Sequence, residues 1–387
     1  MLDPEPMLTE QIPTEPMFTS PTVQAAQLTA TNQSTSLEPY DAILLQSYGG
    51  PTGPETVLPF MRNATRGRGI PDERLIEVSK HYELFGGVSP INAANDLLRQ
   101  ALQEELRARV GHDVEVIIGN RNWHPFVSEA IQQLLAGGHR RVLSVATSAY
   151  GSYSGCRQYR EDLEKAYAAL NEQGISTAGL VIDRLAPYGY VNGFVDANAR
   201  ALIDAIAASK DNRVDDQTPL VLFTTHSIPT AMNELSGGSR GPYLDQHLEI
   251  CARVADRVYE LTDQQFVWEL VFCSRSGAPH IPWLEPDIND RLEELAADGV
   301  KDVISAPIGF LADHMEVKYD LDTQARQTAD ELGIGYHRAA TVGVDAVFVN
   351  GVVDAILEHA EATREDRAPA GRFDCGQPWC CQIRKHG

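Results

Sequence analysis

The sequence predicts an α/β protein built from two doubly wound parallel sheets, and three observations carry that prediction. Short apolar runs recur along the chain, amphipathic stretches separate them, and the alternation runs once before about residue 150 and again after it. Strand, helix, strand at this spacing implies parallel strands covered by helices on both faces. The sequence itself does not repeat, so the halves share architecture only.

Residues 1–38 come before that pattern. They are rich in Pro, Thr, Gln and Ser, carry several acids and contain no Lys or Arg. Such a segment buries too little apolar surface to offset its ordering entropy, so a disordered extension is expected. Predicted strands follow at 41–48, 114–119, 141–147, 180–185, 219–226, 266–272 and 302–308. Between them INAANDLLRQALQEELRARV, PFVSEAIQQLLAGG and RLEELAADG read as helices, and GFLADHM opens one near Ala312 or Asp313. VDAVFVNGVVDAILEHAEA at 344–362 is expected as a last helix packing back on the first half. The reading gives one domain over 40–150, a second over 151–340, and a cysteine-bearing tail over 366–387.

Composition bounds the function. The chain has 387 residues, enough for two domains with sizeable cores. Its formal charge of −22 argues against whole-surface binding to nucleic acid or an anionic membrane. No run approaches the length of a membrane-spanning helix, and the N-terminus lacks the basic region and apolar core of a secretory signal. A cytoplasmic location is therefore expected, where thiols stay reduced unless they hold a metal or do redox work.

The unusual side chains gather at strand ends, where open sheets of this kind bind ligands. The first predicted strand runs into SYGGPTGP and presents Tyr48 before a Gly-Gly-Pro turn. PLVLFTTH ends on His226, FVWELVF leads into the long loop CSRSGAPHIPWLEPD, and DVISAPI leads into GFLADHMEVKYDLD. Each has a plain structural reading. A strand-end histidine is more often a hydrogen-bonding residue than a catalyst, and Tyr48 alone reads as a rim aromatic. Glu316 and Asp320, four apart, can be a solvated pair on one helical face. The glycine turn lacks the full dinucleotide fingerprint. Together, however, a base titrating near neutrality, two carboxylates and a phenol suit proton removal coupled to handling a cation.

The blocks SYGGPTGPE, RGRGIPDERL, HYELFGGVSPIN, TTHSIP, PWLEPD and PIGFLADHMEVKYDLD resemble the signature segments of the ferrochelatases, in the same order over residues 40–362. With Tyr48 in the first block and no apolar membrane lip, the chain most resembles the soluble bacterial coproporphyrin branch. The resemblance implies two flavodoxin-like domains facing across a porphyrin cleft, and insertion of Fe2+ into coproporphyrin III with release of two protons. It implies His226 as proton acceptor and iron contact on one face, Glu316 beside it, and Asp320 extending the acidic line. The next position on that face is Gln324, where the family usually has another acid. Tyr48 would approach from the opposite face. Arg66 and Arg68, Ser89 and Tyr159 match positions near the substrate, and Arg121 could meet a carboxylate bidentately. Partners implied are coproporphyrin III, Fe2+ and a transient downstream haem-pathway enzyme, with the chain a monomer. Open alternatives are protoporphyrin IX as substrate, a cobalt chelatase for a reduced tetrapyrrole, and a haem-binding or iron–sulfur sensor without turnover.

The tail CGQPWCCQIRKHG crowds Cys375, Cys380 and Cys381 together, whereas Cys156, Cys251 and Cys273 are scattered. Some ferrochelatases hold a 2Fe–2S cluster with one mid-chain cysteine and three from a C-terminal extension. That resemblance assigns Cys156, Cys375, Cys380 and Cys381 to such a cluster, although the C-x4-C-C spacing differs from the animal form. A zinc site, a disulfide and a free-thiol tail are the competing readings.

Overall fold

The computed structural model describes residues 35–67, 69–214, 218–276, 280–367 and 381. Arg68, Cys375, Cys380 and the predicted extension before residue 35 lie outside the described residues.

Among the described residues, eight strands form two parallel sheets. β1 (Ala42–Ser47), β2 (Glu115–Asn120), β3 (Arg141–Ala146) and β4 (Val181–Arg184) lie in the order β2-β1-β3-β4. β5 (Leu220–His226), β6 (Trp268–Cys273), β7 (Asp302–Ala306) and β8 (Gly335–Arg338) lie in the order β6-β5-β7-β8. The two orders are the same. β1 pairs with neighbours on both sides, Ala42 opposite Glu115 and Val142, and its AILLQS run is buried throughout. β5 holds the equivalent place, with Val221 opposite Trp268 and Ile304. Near-continuous apolar runs are what a central parallel strand requires, since both its faces are covered.

The helices are α1 (Pro54–Ala64), α2 (Asp72–Glu83), α3 (Ile91–Val110), α4 (Val127–Ala136), α5 (Gln158–Glu172), α6 (Asn192–Ser209), α7 (Thr230–Glu234), α8 (Tyr243–Thr262), α9 (Ile288–Ala297), α10 (Arg326–Leu332) and α11 (Ala346–Arg364). Alternate residues of one strand face opposite layers. Ile43 and Leu45 join Leu102 of α3, Leu202 of α6, Ile250 of α8 and Val353 of α11. Val221 and Phe223 of the second sheet enter that same core, so one apolar layer is continuous between the sheets. Ala42 and Leu44 face α4 and α5 instead, and Leu222 and Val303 face α9 and α10.

Asp354 of α11 pairs with Arg109 of α3 at 2.7 Å. The helix also packs on α6, with the Phe194 and Phe348 rings 6.0 Å apart.

Three boundaries differ from the sequence reading. Leu37, expected in the extension, is buried in the core, and Arg364 donates to the Ser36 carbonyl at 3.0 Å. The GYHR strand β8 carried no apolar run to mark it; it is a four-residue edge whose Tyr336 alone is buried. The helix after β7 starts at Met315 rather than Ala312 or Asp313, and over Val317–Ala325 it is a π-helix. Among the described residues no helix is long and apolar enough to cross a membrane.

Candidate active site at the strand tips

His226 is the last residue of β5 and stands half-buried beyond the sheet. Its Nδ1 lies against the Ser227 carbonyl, which can only accept, so Nδ1 carries a proton and in the neutral ring the lone pair is on Nε2. Nε2 points at Glu316 Oε1, 3.8 Å away. Metal–ligand bonds of about 2.1 Å would let a divalent cation sit between those two atoms. The pair could equally share a proton. Either job suits a neutral imidazole beside a half-exposed carboxylate.

Glu316 immediately precedes the π-helix, a form that leaves extra room in each turn and recurs at functional sites. A charged cluster anchors the segment. Arg338 reaches Asp322 at 2.6 Å and also pairs with Asp313, while Lys318 bridges Asp322 at 3.0 Å and Asp313 at 3.4 Å. β8, the strand missing from the sequence reading, supplies Arg338 and so fixes the helix that carries the acids.

Asp320 lies one turn along, partly buried, and accepts a hydrogen bond from Ser274. Burial pushes its carboxyl up to about 6; the Ser274 bond opposes that shift and the nearby Glu316 charge adds to it. Ser274 holds φ at 62°, a left-handed backbone that a side chain adopts at some cost, and this aims its hydroxyl at Asp320. In the sequence Ser274 is one polar residue of the long loop after β6, and a positive φ at a serine has no sequence signal. Gln324 is exposed, and after Glu316 the further acid that acts on Asp320 is Asp287. His314, also unmarked in the sequence, has its imidazole pushed down by burial, with Glu316 opposing and His226 adding.

The tip of β1 presents Tyr48, 40% exposed and edge-on to Phe60 at 6.2 Å. Its turn depends on Gly49: φ is 76°, and a Cβ there would stand 2.8 Å from the Asn120 Cβ. α2 links the two tips. The Tyr82 phenol is raised by burial and then by the Glu316 and Tyr48 charges, while His81 stacks on Tyr319 of the π-helix at 4.0 Å. His226, Glu316, Asp320 and Tyr48 therefore share one neighbourhood.

Known proteins match this chain over most of its length. The ferrochelatase family profile matches residues 40–360. The chain belongs to the ferrochelatase family. A coproporphyrin III ferrochelatase of Streptomyces coelicolor is 51% identical over 331 residues, 83% of this chain and 86% of that one. One from Streptomyces griseus is 49% identical over 337 residues, covering 85% and 88%. One from Leifsonia xyli is 43% identical over 363 residues, covering 89% and 91%.

The remaining predicted contact residues differ in burial and partners. Arg66 is exposed and donates to Asn63. Ser89 is buried, and its hydroxyl accepts from the Ile91 N–H at 3.5 Å. Arg121 is also buried, paired with Asp162 at 2.6 Å and Gln158 at 2.9 Å, with its guanidinium 4.1 Å from the Tyr159 ring centre. Its Nη2 has no hydrogen-bond partner, a buried donor left over after the pair is made. Tyr159 is itself buried. A groove of about 550 Å³ runs along the open edge of β2, lined by Asn92, Asp96, Arg99 and Glu115, and includes none of the predicted site residues.

Cys156 is buried in a short π-helical turn before α5; Arg184 donates to its carbonyl at 3.0 Å and reaches its sulfur at 3.5 Å. Cys381 is buried too, and the Gly237 N–H points at its sulfur from 3.4 Å. Each of these two sulfurs thus faces a hydrogen-bond donor. Cys251 and Cys273 are buried with their thiols pushed well up by burial, which fits a structural role.

Proposed function

We propose that this chain inserts Fe2+ into coproporphyrin III to give coprohaem, releasing two protons. The observation that carries the reading is the Nε2 lone pair of His226 facing Glu316 Oε1 at 3.8 Å, in a chain 51% identical to a coproporphyrin III ferrochelatase.

The macrocycle's inner nitrogens lie in one plane and two of them carry protons, so insertion needs a base and a cation held near the ring. On this reading His226 supplies the base on one face. Its tautomer is set by Ser227, so the lone pair is available without reorganisation. Glu316 supplies negative charge for Fe2+. Asp320, whose carboxyl titrates near 6, takes the proton onward while Ser274 holds it in place. Nε2 holds either a proton or iron at one instant, so the two roles are sequential. Tyr48 contacts the opposite face of the macrocycle. The unpartnered Arg121 Nη2 supports a propionate contact, with Arg66, Ser89 and Tyr159 in the same substrate-binding role.

The same reading assigns Cys156, Cys375, Cys380 and Cys381 to a 2Fe–2S cluster, supported by the donors facing the Cys156 and Cys381 sulfurs. When bound, the cluster supplies a one-electron centre and a cross-link between distant parts of the chain. Cys156→Ser should bleach its visible bands and lower the melting temperature; an unchanged spectrum would remove the assignment. The reading also keeps a cytoplasmic monomer of two domains, 40–150 with 344–362 and 151–340, that hands its product on by transient contact.

The test is an anaerobic absorption time course with Fe2+ on coproporphyrin III and protoporphyrin IX separately. Conversion of coproporphyrin alone supports the proposal. Preference for protoporphyrin moves the chain to the other branch, and tight porphyrin binding without conversion of either makes it a binding protein.

A further inference from the structure

Behind His226 lies a run of buried polar side chains that neither the resemblance nor the proposed chemistry uses. Thr225 Oγ1 is 2.7 Å from Tyr243 Oη and 3.0 Å from His247 Nε2. His247 Nδ1 is 2.8 Å from the Tyr243 carbonyl, and Tyr243 Oη donates to the His226 carbonyl at 3.2 Å. Thr225, Tyr243 and His247 are all buried, His247 and Thr225 completely.

The direction of each bond follows from what each atom can do. The Tyr243 carbonyl only accepts, so His247 Nδ1 carries a proton. Burial pushes this imidazole down to about 3, so it is neutral at working pH and Nε2 is an acceptor. Thr225 therefore donates its hydroxyl proton to Nε2. Its oxygen is left to accept, and the Tyr243 O–H, shared between Thr225 and the His226 carbonyl, is the donor. Every member is satisfied and the polarity runs one way, from Tyr243 through Thr225 into His247.

The wire is also clamped. The His247 ring stacks on Tyr150 at 3.6 Å and 16°, and the Tyr150 hydroxyl donates to the Ile308 carbonyl at 3.2 Å. Tyr150 follows β3 of the first sheet, and Ile308 follows β7 of the second. Gly309, next in chain, has no room for a side chain because a Cβ would stand 2.0 Å from Thr225 Oγ1. Packing of the two sheets thus fixes His247, and His247 fixes the hydrogen-bond direction at Thr225.

We infer that His247 is a positioning residue: by fixing Thr225 as a donor it sets how the single Tyr243 proton is divided between Thr225 and the His226 carbonyl, and so where the His226 imidazole stands relative to Glu316. This rests on the reading of His226 as the insertion-site base.

His247→Phe keeps a ring to stack on Tyr150 but removes the acceptor; Cys251→Ala, one turn along α8, controls for a disturbed core. The prediction is a loss of about tenfold in kcat for Fe2+ insertion with porphyrin KM unchanged, the scale seen when partners behind a ligand are removed. Tyr243→Phe should lose a similar factor, and the double variant should lose no more than either single one. His247→Gln, which restores an acceptor, should recover part of the rate. Independently of turnover, the His226 ring nitrogen signals in 15N-edited NMR should shift in His247→Phe and stay in place in Cys251→Ala. Unmoved His226 signals, or a kcat loss equal in the Cys251 control, would overturn the inference. An active His226→Ala variant would instead overturn the reading on which it rests.

Discussion

The two sheets have one strand order but differently equipped strand tips. β1 and β5 occupy the same central place, each paired on both sides, and each delivers an aromatic or heteroaromatic side chain beyond its tip. At β1 it is Tyr48, held by a glycine turn and by Asn95 donating to the Ser47 hydroxyl at 2.5 Å. At β5 it is His226, with its ring fixed by Ser227 and its carbonyl by Tyr243. Both side chains stand at the carboxyl ends of central strands, the end at which open parallel sheets bind ligands. The chemistry differs because the acids, Glu316 and Asp320, gather on the β5 side alone, on a π-helix tied down by Arg338.

That contrast can be attacked from either side. The largest effect should come from the charge buried beside the β1 tip. Arg121→Leu leaves the buried Asp162 with only the exposed Lys165 ammonium, 3.9 Å away, and should cost roughly 3 kcal/mol in urea unfolding. A cost below about 1 kcal/mol would mean that solvent reaches the pair. On the β5 side, Glu316→Gln should slow Fe2+ insertion about 100-fold in stopped-flow absorption with the fold intact, since it removes the charge beside the metal path.

Asp320 gives the next effect, through pH. Its native carboxyl keeps its proton to about pH 6, whereas an unfolded aspartate releases it near 3.9. The native state thus binds the extra proton. The contribution is complete below about pH 4 and is lost as pH rises through about 6. Asp320→Asn should stabilise the protein by about 2 kcal/mol at pH 8 and not at pH 4, measured by urea unfolding at both values. Equal effects at both pH values would mean that the raised carboxyl is not the cause. Smallest of all, Tyr48→Phe should change the insertion rate by less than about threefold, because a phenol on the far face takes no proton in the proposed route.

Much of this was legible in the sequence. Apolar runs marked β1 to β7 to within two residues, because central parallel strands must be apolar on both faces. β8 escaped because an edge strand of GYHR needs no such run, and with it went Arg338, the anchor of the acidic helix. His226, Glu316 and Asp320 were visible as strand-end chemistry. The π-helix was not, since extra room in a turn comes from tertiary anchoring and leaves no periodicity in nine residues. Ser274, His314 and Tyr82 were hidden for a related reason: their importance lies in what burial places beside them. Leu37 read as part of a polar extension because a single apolar residue among Ser and Thr carries no pattern.

The most direct test sets His226→Ala against Tyr48→Phe in single-turnover Fe2+ insertion into coproporphyrin III, with folded fraction matched. The account predicts a loss of at least about 100-fold for His226→Ala and less than about threefold for Tyr48→Phe. A His226→Ala protein that keeps most of its rate while Tyr48→Phe loses it would contradict the account and move the working end to β1.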